Sequence, residues 1–181
     1  MKGAGPTLLL LVTACALPPN VSIGNRVMLD GTRAGFQSCA LSVEFAGAPR
    51  ALYDSEAARY ASGIAKRAQI DGLTYEGANV VQTAVCACRE APFSNADIRQ
   101  AEQGFARNPN VRMIPVAGRP FARSVMGLDT VYTEQESTGD QALIVFPVNA
   151  PRCIFIAGGK FEATGADALK TFFATLEPIG K

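Results

Sequence analysis

The fold depends most on residues 73–89, which read LTYEGANVVQTAVCACR. Valine, threonine and tyrosine are enriched in strands, so this stretch predicts strand-rich structure. It also contains the segment Cys86-Ala87-Cys88. Because side chains two residues apart on a strand point to the same face, we expect both cysteines on one face of a sheet.

The spacing of these two cysteines argues against a bond between them. On a strand their α-carbons would be about 6.6 Å apart, near the upper limit for a disulfide, and parallel side chains aim poorly at each other. Cys39 and Cys153 lie in other predicted strands and offer better partners. An even number of such cysteines in an exported chain is typical of disulfides. We predict two cross-links between these pairs, with Cys39–Cys88 and Cys86–Cys153 marginally preferred over Cys39–Cys86 and Cys88–Cys153.

The segment Cys86-Ala87-Cys88 leaves two other chemistries open. Two reduced thiolates at this spacing would chelate a soft ion such as Cu(I). A strained pair would instead exchange disulfides with a partner protein. The chain has no histidine and its 4 methionines are scattered, so structural disulfides are the favoured interpretation.

Residues before this stretch predict one further strand and one helix. Alternation over residues 39–45 predicts a strand with one buried face. Asp54 or Ser55 would cap a helix that runs to about Ala68, with Asp71-Gly72 ending it.

The second half of the chain predicts two more helices and several strands. Ser94 and Asp97 have the spacing of a capping box, for a helix that continues to about Arg107. A closing helix is predicted near residues 165–176, and Gly158-Gly159-Lys160 is interpreted as a turn. Candidate strands are residues 111–117, 121–125, 130–134, 142–147 and 153–157. Together these elements predict an α+β fold, with an antiparallel or mixed β-sheet packed by two or three helices and cross-linked by disulfides.

The composition argues against several classes of function. The 181-residue chain has no histidine, so it has no Ser-His-Asp unit, no Cys-His unit and no His-ligated metal. Its 17 basic and 16 acidic residues give a formal charge of +1, which argues against nucleic-acid binding. The G-x-S-x-G and S-x-x-K signatures of serine hydrolases are absent. We therefore predict no catalytic residues, no cofactor and no resident metal.

The N-terminus has the features of an export signal. Lys2 precedes a short apolar run over residues 8–12, roughly half the length of a membrane-spanning helix. The run ends in Val12-Thr13-Ala14-Cys15, which resembles the lipobox of bacterial lipoproteins. In that family the cysteine is diacylated on sulfur and becomes the new N-terminus. The resemblance implies that residues 1–14 are removed and that Cys15 is the lipidated residue.

Pro18, Pro19 and Gly24 interrupt regular structure, so residues 15–25 would form a short tether before residues 26–181, which are predicted to form a single α+β domain. The resemblance also implies a location. A lipid on Cys15 would hold the chain in the bacterial envelope facing the periplasm, and Ala16 after it points to the outer membrane. The competing interpretation is an ordinary secretory signal that is cut near Ala14 or Ala16.

These observations favour a membrane-anchored envelope lipoprotein that acts as a non-catalytic binding or assembly component. Its expected partners are the membrane, through the lipid anchor, and another envelope protein, but no nucleic acid. One alternative is a periplasmic thiol-redox or copper-handling protein that uses Cys86-Ala87-Cys88. The other is an enzyme built on carboxylates or on serine and lysine, which a concave pocket with convergent polar groups would support.

Overall fold

The computed structural model describes residues 21–23, 26–53, 69–107, 111–113, 122–128, 139–162 and 165–179. In chain order its strands are β1 (Val21–Ile23), β2 (Val27–Asp30), β3 (Arg33–Phe36), β4 (Leu41–Glu44), β5 (Arg50–Ala51), β6 (Gln69–Glu76), β7 (Val80–Cys88), β8 (Val111–Met113), β9 (Ala122–Leu128), β10 (Gly139–Pro147), β11 (Cys153–Phe161) and β12 (Glu177–Pro178). The helices in the same ranges are α1 (Asn95–Ala106) and α2 (Ala166–Ala174), and a 3₁₀ turn spans Gln37–Cys39.

Within the described residues these strands form two antiparallel sheets. The 5-stranded sheet has the order β1-β2-β3-β4-β12, and the 7-stranded sheet has the order β5-β6-β7-β11-β10-β9-β8. The long strands β7 and β11 lie in the middle of the larger sheet. They pair along their whole length, from Cys153 opposite Cys88 to Phe161 opposite Val80.

The main core lies between the two sheets. Phe36 of the smaller sheet and Phe155 of the larger sheet meet edge to face, with ring centroids 5.2 Å apart. The helix α2 closes one side of this inter-sheet core. Large side chains of this inter-sheet core include Leu29, Phe36, Leu41, Phe45, Leu73, Leu143, Phe155, Phe161, Leu169, Phe172 and Leu176.

A second, smaller core lies on the opposite face of the 7-stranded sheet. Ile98 of α1 packs there against Phe146 and Ile154. Because successive residues of a strand point to opposite faces, Cys86 belongs to the inter-sheet core while Ala87 belongs to the α1 core. Both faces of β7 are therefore covered.

The capping box predicted for α1 is confirmed. The backbone N–H and hydroxyl of Ser94 donate to the Asp97 carboxylate at 2.7 and 2.8 Å, and the Asp97 N–H donates back to the hydroxyl at 3.1 Å. The bond from the Ser94 backbone contributes most to lowering the pKa of Asp97 to about 2, followed by the Ser94 hydroxyl and Arg89. The helix begins at Asn95 and ends at Ala106, within one residue of the prediction.

The fold class is β-rich, which corrects part of the prediction. Antiparallel pairing, disulfide cross-links, α1 and α2 are confirmed. A single sheet covered by two or three helices is wrong, because the main cover of the larger sheet is the smaller sheet. Among the described residues the two α-helices are short, at 12 and 9 residues.

The prediction that Asp71-Gly72 ends a helix is also wrong, since both residues lie inside β6. A Cβ on Gly72 would collide with the side chain of Leu52, so the glycine allows close packing here. The body of that predicted helix, residues 54–68, lies outside the described residues.

A similar correction applies to Gly158-Gly159-Lys160, which lies inside β11 and is not a turn. A Cβ on Gly159 would collide with the carbonyl oxygen of Val81 on β7, so this glycine permits close approach of two backbones. Cys39 lies in the 3₁₀ turn, not on a strand.

The remaining strand predictions agree in place with the structure. Residues 73–89 fall in β6 and β7, and the candidates at 111–117, 121–125, 142–147 and 153–157 overlap β8, β9, β10 and β11. The candidate at 130–134 lies outside the described residues. The strand β1 pairs with β2, although it falls in the range predicted to be a tether.

Candidate functional site: a cluster of four sulfurs

The strand β7 positions two of the cluster's cysteines. Cys86 and Cys88 both face the inter-sheet core, as the two-residue spacing predicts. Their Sγ atoms are 3.8 Å apart, and the two residues are not bonded to each other. Each forms a disulfide with a cysteine from another part of the fold.

The disulfide Cys88–Cys153 joins the neighbouring strands β7 and β11. The Arg89 N–H donates to the carbonyl oxygen of Arg152 at 3.0 Å. That bond places the two cysteines opposite each other at a position without ladder hydrogen bonds, where antiparallel strands approach most closely. Their α-carbons are 4.0 Å apart, so this disulfide reinforces strands that the ladder already holds.

The disulfide Cys39–Cys86 joins the two sheets. The 3₁₀ turn ends in Ala40, whose positive φ of 53° turns the chain back into β4. This turn places Cys39 above β7 and β11, with its Sγ 3.5 Å from the carbonyl oxygen of Ile154. The α-carbons of the two bonded cysteines are 5.9 Å apart, and both residues are fully buried.

The sequence predicts the two partner sets correctly but prefers the wrong pairing between them. The structure has Cys39–Cys86 and Cys88–Cys153. The reason is the register of the 7-stranded sheet, in which the last residue of β7 lies directly opposite the first residue of β11. Local patterning does not contain this register, so sequence alone left both pairings open.

The two disulfides lie side by side and form one cluster. All four Sγ atoms lie within 4.8 Å of one another. The Sγ of Cys153 also lies 3.1 Å from the carbonyl oxygen of Ser38, next to Cys39 in the turn. A cluster of this kind has two limiting chemical states, because the four sulfurs form two disulfides when fully oxidised and offer four soft thiolate ligands when fully reduced.

A half-buried ion pair lies beside the cluster. Asp71 on β6 is directly opposite Cys86 on β7, and its carboxylate accepts a bond of 3.0 Å from Arg26. Burial raises the pKa of Asp71, and the Arg26 guanidinium opposes that rise. The Nη1 atom of Arg26 is buried and has no hydrogen-bond partner among the described residues. Sequence reasoning missed this pair, because Asp71 was expected at a helix end and Arg26 at the start of the domain.

An apolar cleft of about 120 Å³ leads to one end of the cluster. Cys153 lines it and is 6% exposed, whereas Cys39 and Cys86 are both at 0%. The cleft's other lining residues are Phe93, Ile98, Phe146, Pro147, Val148 and Pro151. Of the two disulfides, Cys88–Cys153 is therefore the one closer to solvent.

The outer face of the 5-stranded sheet carries a shallow groove of about 230 Å³. Arg33 in this groove pairs with Glu177 and donates to the Ser42 hydroxyl at 3.3 Å. These three polar groups therefore bind one another at the groove. Met28 at 42% exposure adds an apolar element to the same surface.

The predicted lipidation residue, Cys15, lies outside the described residues. Neither α1 nor α2 is long and apolar enough to cross a bilayer. Comparison of the chain with protein-family models, with curated proteins and with solved structures gave no match. The features that bear on function are the lipobox-like residues Val12-Thr13-Ala14-Cys15 and, among the described residues, the sulfur cluster with the surfaces around it.

Proposed function

We propose that this chain is a bacterial envelope lipoprotein. A lipid on Cys15 anchors it to the membrane, with its domain in the periplasm and the outer membrane as its location. The domain serves as a binding or assembly component for another envelope protein and not as an enzyme. The lipobox residues Val12-Thr13-Ala14-Cys15 support the anchor.

The observation that carries this proposal is the pair of disulfides. Cytosolic thiols are kept reduced, whereas disulfides persist in the periplasm and other oxidising compartments. Cys39–Cys86 and Cys88–Cys153 use all four of the cysteines that follow the lipobox. The remaining cysteine is Cys15, at the position where a lipoprotein carries its lipid.

The anchor is tested by membrane extraction and intact mass of the full chain expressed in a bacterial host. We expect the wild-type chain in the detergent phase, beginning at Cys15 and carrying the mass of its acyl groups. Cys15→Ser should abolish both results. Thr13→Ala is the matched control, since it keeps a small residue in the lipobox and should stay lipidated. A wild-type chain that is unmodified and begins at Ala16 or later would show an ordinary secretory signal.

A second candidate, a thiol-redox or copper-handling role, is favoured by one observation. The Sγ atoms of Cys86 and Cys88 are in contact at 3.8 Å, and the bond from Cys88 to Cys153 borders the apolar cleft. A partner protein with a reactive thiol would reach this bond first. Rapid exchange with a dithiol oxidoreductase, or Cu(I) binding through Cys86 and Cys88 alone, would support this role. Structural disulfides should instead exchange slowly with such a partner.

A further inference from the structure

We propose that the reduced cluster is a metal site, in which Cys39, Cys86, Cys88 and Cys153 bind one zinc-type ion through four thiolates. This inference departs from the metal-free state predicted from the sequence. It goes beyond the proposed lipoprotein function and does not depend on the anchor, because Cys15 is not one of the four ligands.

The positions of the four sulfurs fit this ion. A tetrahedral zinc site has Zn–S bonds of about 2.3 Å, which places its sulfurs about 3.8 Å apart. The four Sγ atoms already lie within 4.8 Å of one another. The unbonded pair Cys86 and Cys88 is separated by 3.8 Å. Reduction releases the two bonded pairs, and their side chains then move apart toward the same spacing.

The ligands are held in place by three separate elements. The strand β7 supplies two cysteines, β11 supplies the third and the 3₁₀ turn supplies the fourth. The pairing of β7 with β11 keeps Cys88 and Cys153 together after their disulfide is broken. The core contact between Phe36, which precedes the turn, and Phe155 of β11 keeps the turn in position. This preorganisation distinguishes the site from four cysteines on an unfolded chain.

The surroundings of the cluster also suit a buried ion. Cys39 and Cys86 are at 0% exposure in the inter-sheet core, which keeps water from competing for the metal. Four thiolates around a divalent ion leave a net charge of about −2, which hydrogen-bond donors and cations must balance. The ion pair of Arg26 and Asp71, the residue opposite Cys86, adds no net charge, and the Arg26 Nη1 atom is a donor without a hydrogen-bond partner among the described residues.

The two states of the cluster exclude each other. Reduction needs two equivalents of an external dithiol, each of which becomes a disulfide while one protein disulfide becomes two thiols. Binding then displaces four protons from the four thiols, and the metal is neither oxidised nor reduced. The oxidised cluster has no thiolate to offer, so metal binding at this site reports the redox state of the cluster.

The test uses the full chain, reduced with a dithiol, freed of reductant without air and titrated with Co²⁺ and then Zn²⁺. We expect one Co²⁺ per chain, with the visible bands of a tetrahedral site and a sulfur-to-cobalt charge-transfer band, and complete displacement by Zn²⁺. X-ray absorption of the zinc form should show four sulfur neighbours at about 2.3 Å. The oxidised chain should give neither signal.

Variants separate a built site from chance binding by thiols. Cys88→Ser should lower the zinc affinity at least about 100-fold. Cys15→Ser removes the cysteine outside the cluster and should leave the affinity unchanged. Circular dichroism of the reduced wild-type chain with zinc should match that of the oxidised protein.

Three results would overturn the metal proposal: no saturable Zn²⁺ binding, fewer than four sulfur neighbours, or equal affinity in the chain unfolded by urea. Binding of Cu(I) alone through two sulfurs would also overturn it, in favour of the copper-handling role. A chain without lipid would still bind zinc, so failure of the anchor and failure of the site are distinguishable.

Discussion

The two disulfides touch each other but differ in what they join. Cys39–Cys86 links two sheets and lies fully inside the core. Cys88–Cys153 links neighbouring strands of one sheet and lies beside a cleft. They close chain segments of similar length, 47 and 65 residues apart in sequence. Chain entropy therefore treats them alike, and any difference in their effects must come from the folded structure.

The largest effect is expected from removal of the link between the sheets. The double change Cys39→Ala and Cys86→Ala should lower the free energy of unfolding by about 4 to 5 kcal/mol. About 4 kcal/mol follows from loop closure, and the rest from two buried sulfurs lost from the core. Urea unfolding measures the change, with Cys15→Ser as the control that should have no effect. A loss below about 2 kcal/mol would mean that the sheets hold together without this bond.

A smaller loss is expected when the other disulfide is removed. Cys88→Ala with Cys153→Ala should cost about 4 kcal/mol, because loop closure contributes as much as for the first bond, whereas less buried packing is lost at a site that borders solvent. The same urea titration provides the comparison. If this variant proves less stable than the first, the structural distinction between the two bonds is wrong.

The order of reduction distinguishes the two bonds without any mutation. With limiting dithiol, Cys88 and Cys153 should become accessible to an alkylating reagent at least about tenfold faster than Cys39 and Cys86. Attack on the buried bond requires a local opening, and an opening that costs about 1.4 kcal/mol already slows the reaction about tenfold. Peptide mass analysis of samples alkylated over time gives the order. Simultaneous labelling of all four would indicate global unfolding or rapid exchange inside the cluster.

The smallest effect concerns the helix α1, which supplies Ile98 to the wall of the cleft beside Cys153. The pKa of Asp97 is lowered from 3.8 to about 2, so its capping bonds stabilise the fold above about pH 4. That contribution is lost as the pH falls through about 2. Asp97→Asn should therefore flatten the dependence of unfolding free energy on pH between about 4 and 2.

The matched control is Asp167→Asn, which removes an acidic residue from the first turn of α2, where it forms an exposed pair with Lys170. The midpoint of urea unfolding is measured at several pH values for the wild-type chain, Asp97→Asn and Asp167→Asn. An unchanged slope for Asp97→Asn would show that the capping box does not contribute to acid sensitivity.

The sequence alone predicts the structural features that depend only on neighbouring residues. Ser94 and Asp97 predict the start of α1 because a capping box needs only the residues that form it. The shared face of Cys86 and Cys88 follows in the same way from strand periodicity. The sequence also predicts that Cys86 and Cys88 bond to Cys39 and Cys153, because a bond between Cys86 and Cys88 on one strand has poor geometry.

The sequence alone does not predict the features that depend on residues far apart in the chain. The pairing of the cysteines depends on the register of β7 against β11, which local patterning does not encode. The two-sheet architecture was missed because β7 is buried on both faces, by a helix on one side and by a sheet on the other. Gly72 and Gly159 resemble helix-ending and turn residues in sequence, yet both serve close packing inside strands.

One measurement tests the central claim, that a lipid on Cys15 anchors a domain whose four other cysteines form two disulfides. It is the intact mass of the full chain extracted from bacterial membranes, taken after alkylation without reduction and followed by disulfide mapping. We expect a chain that begins at acylated Cys15, has no thiol modified by the alkylating reagent and contains the disulfides Cys39–Cys86 and Cys88–Cys153. An unacylated chain that begins at Ala16 or later would contradict the anchor. Two or more alkylated thiols would contradict the cross-linked domain.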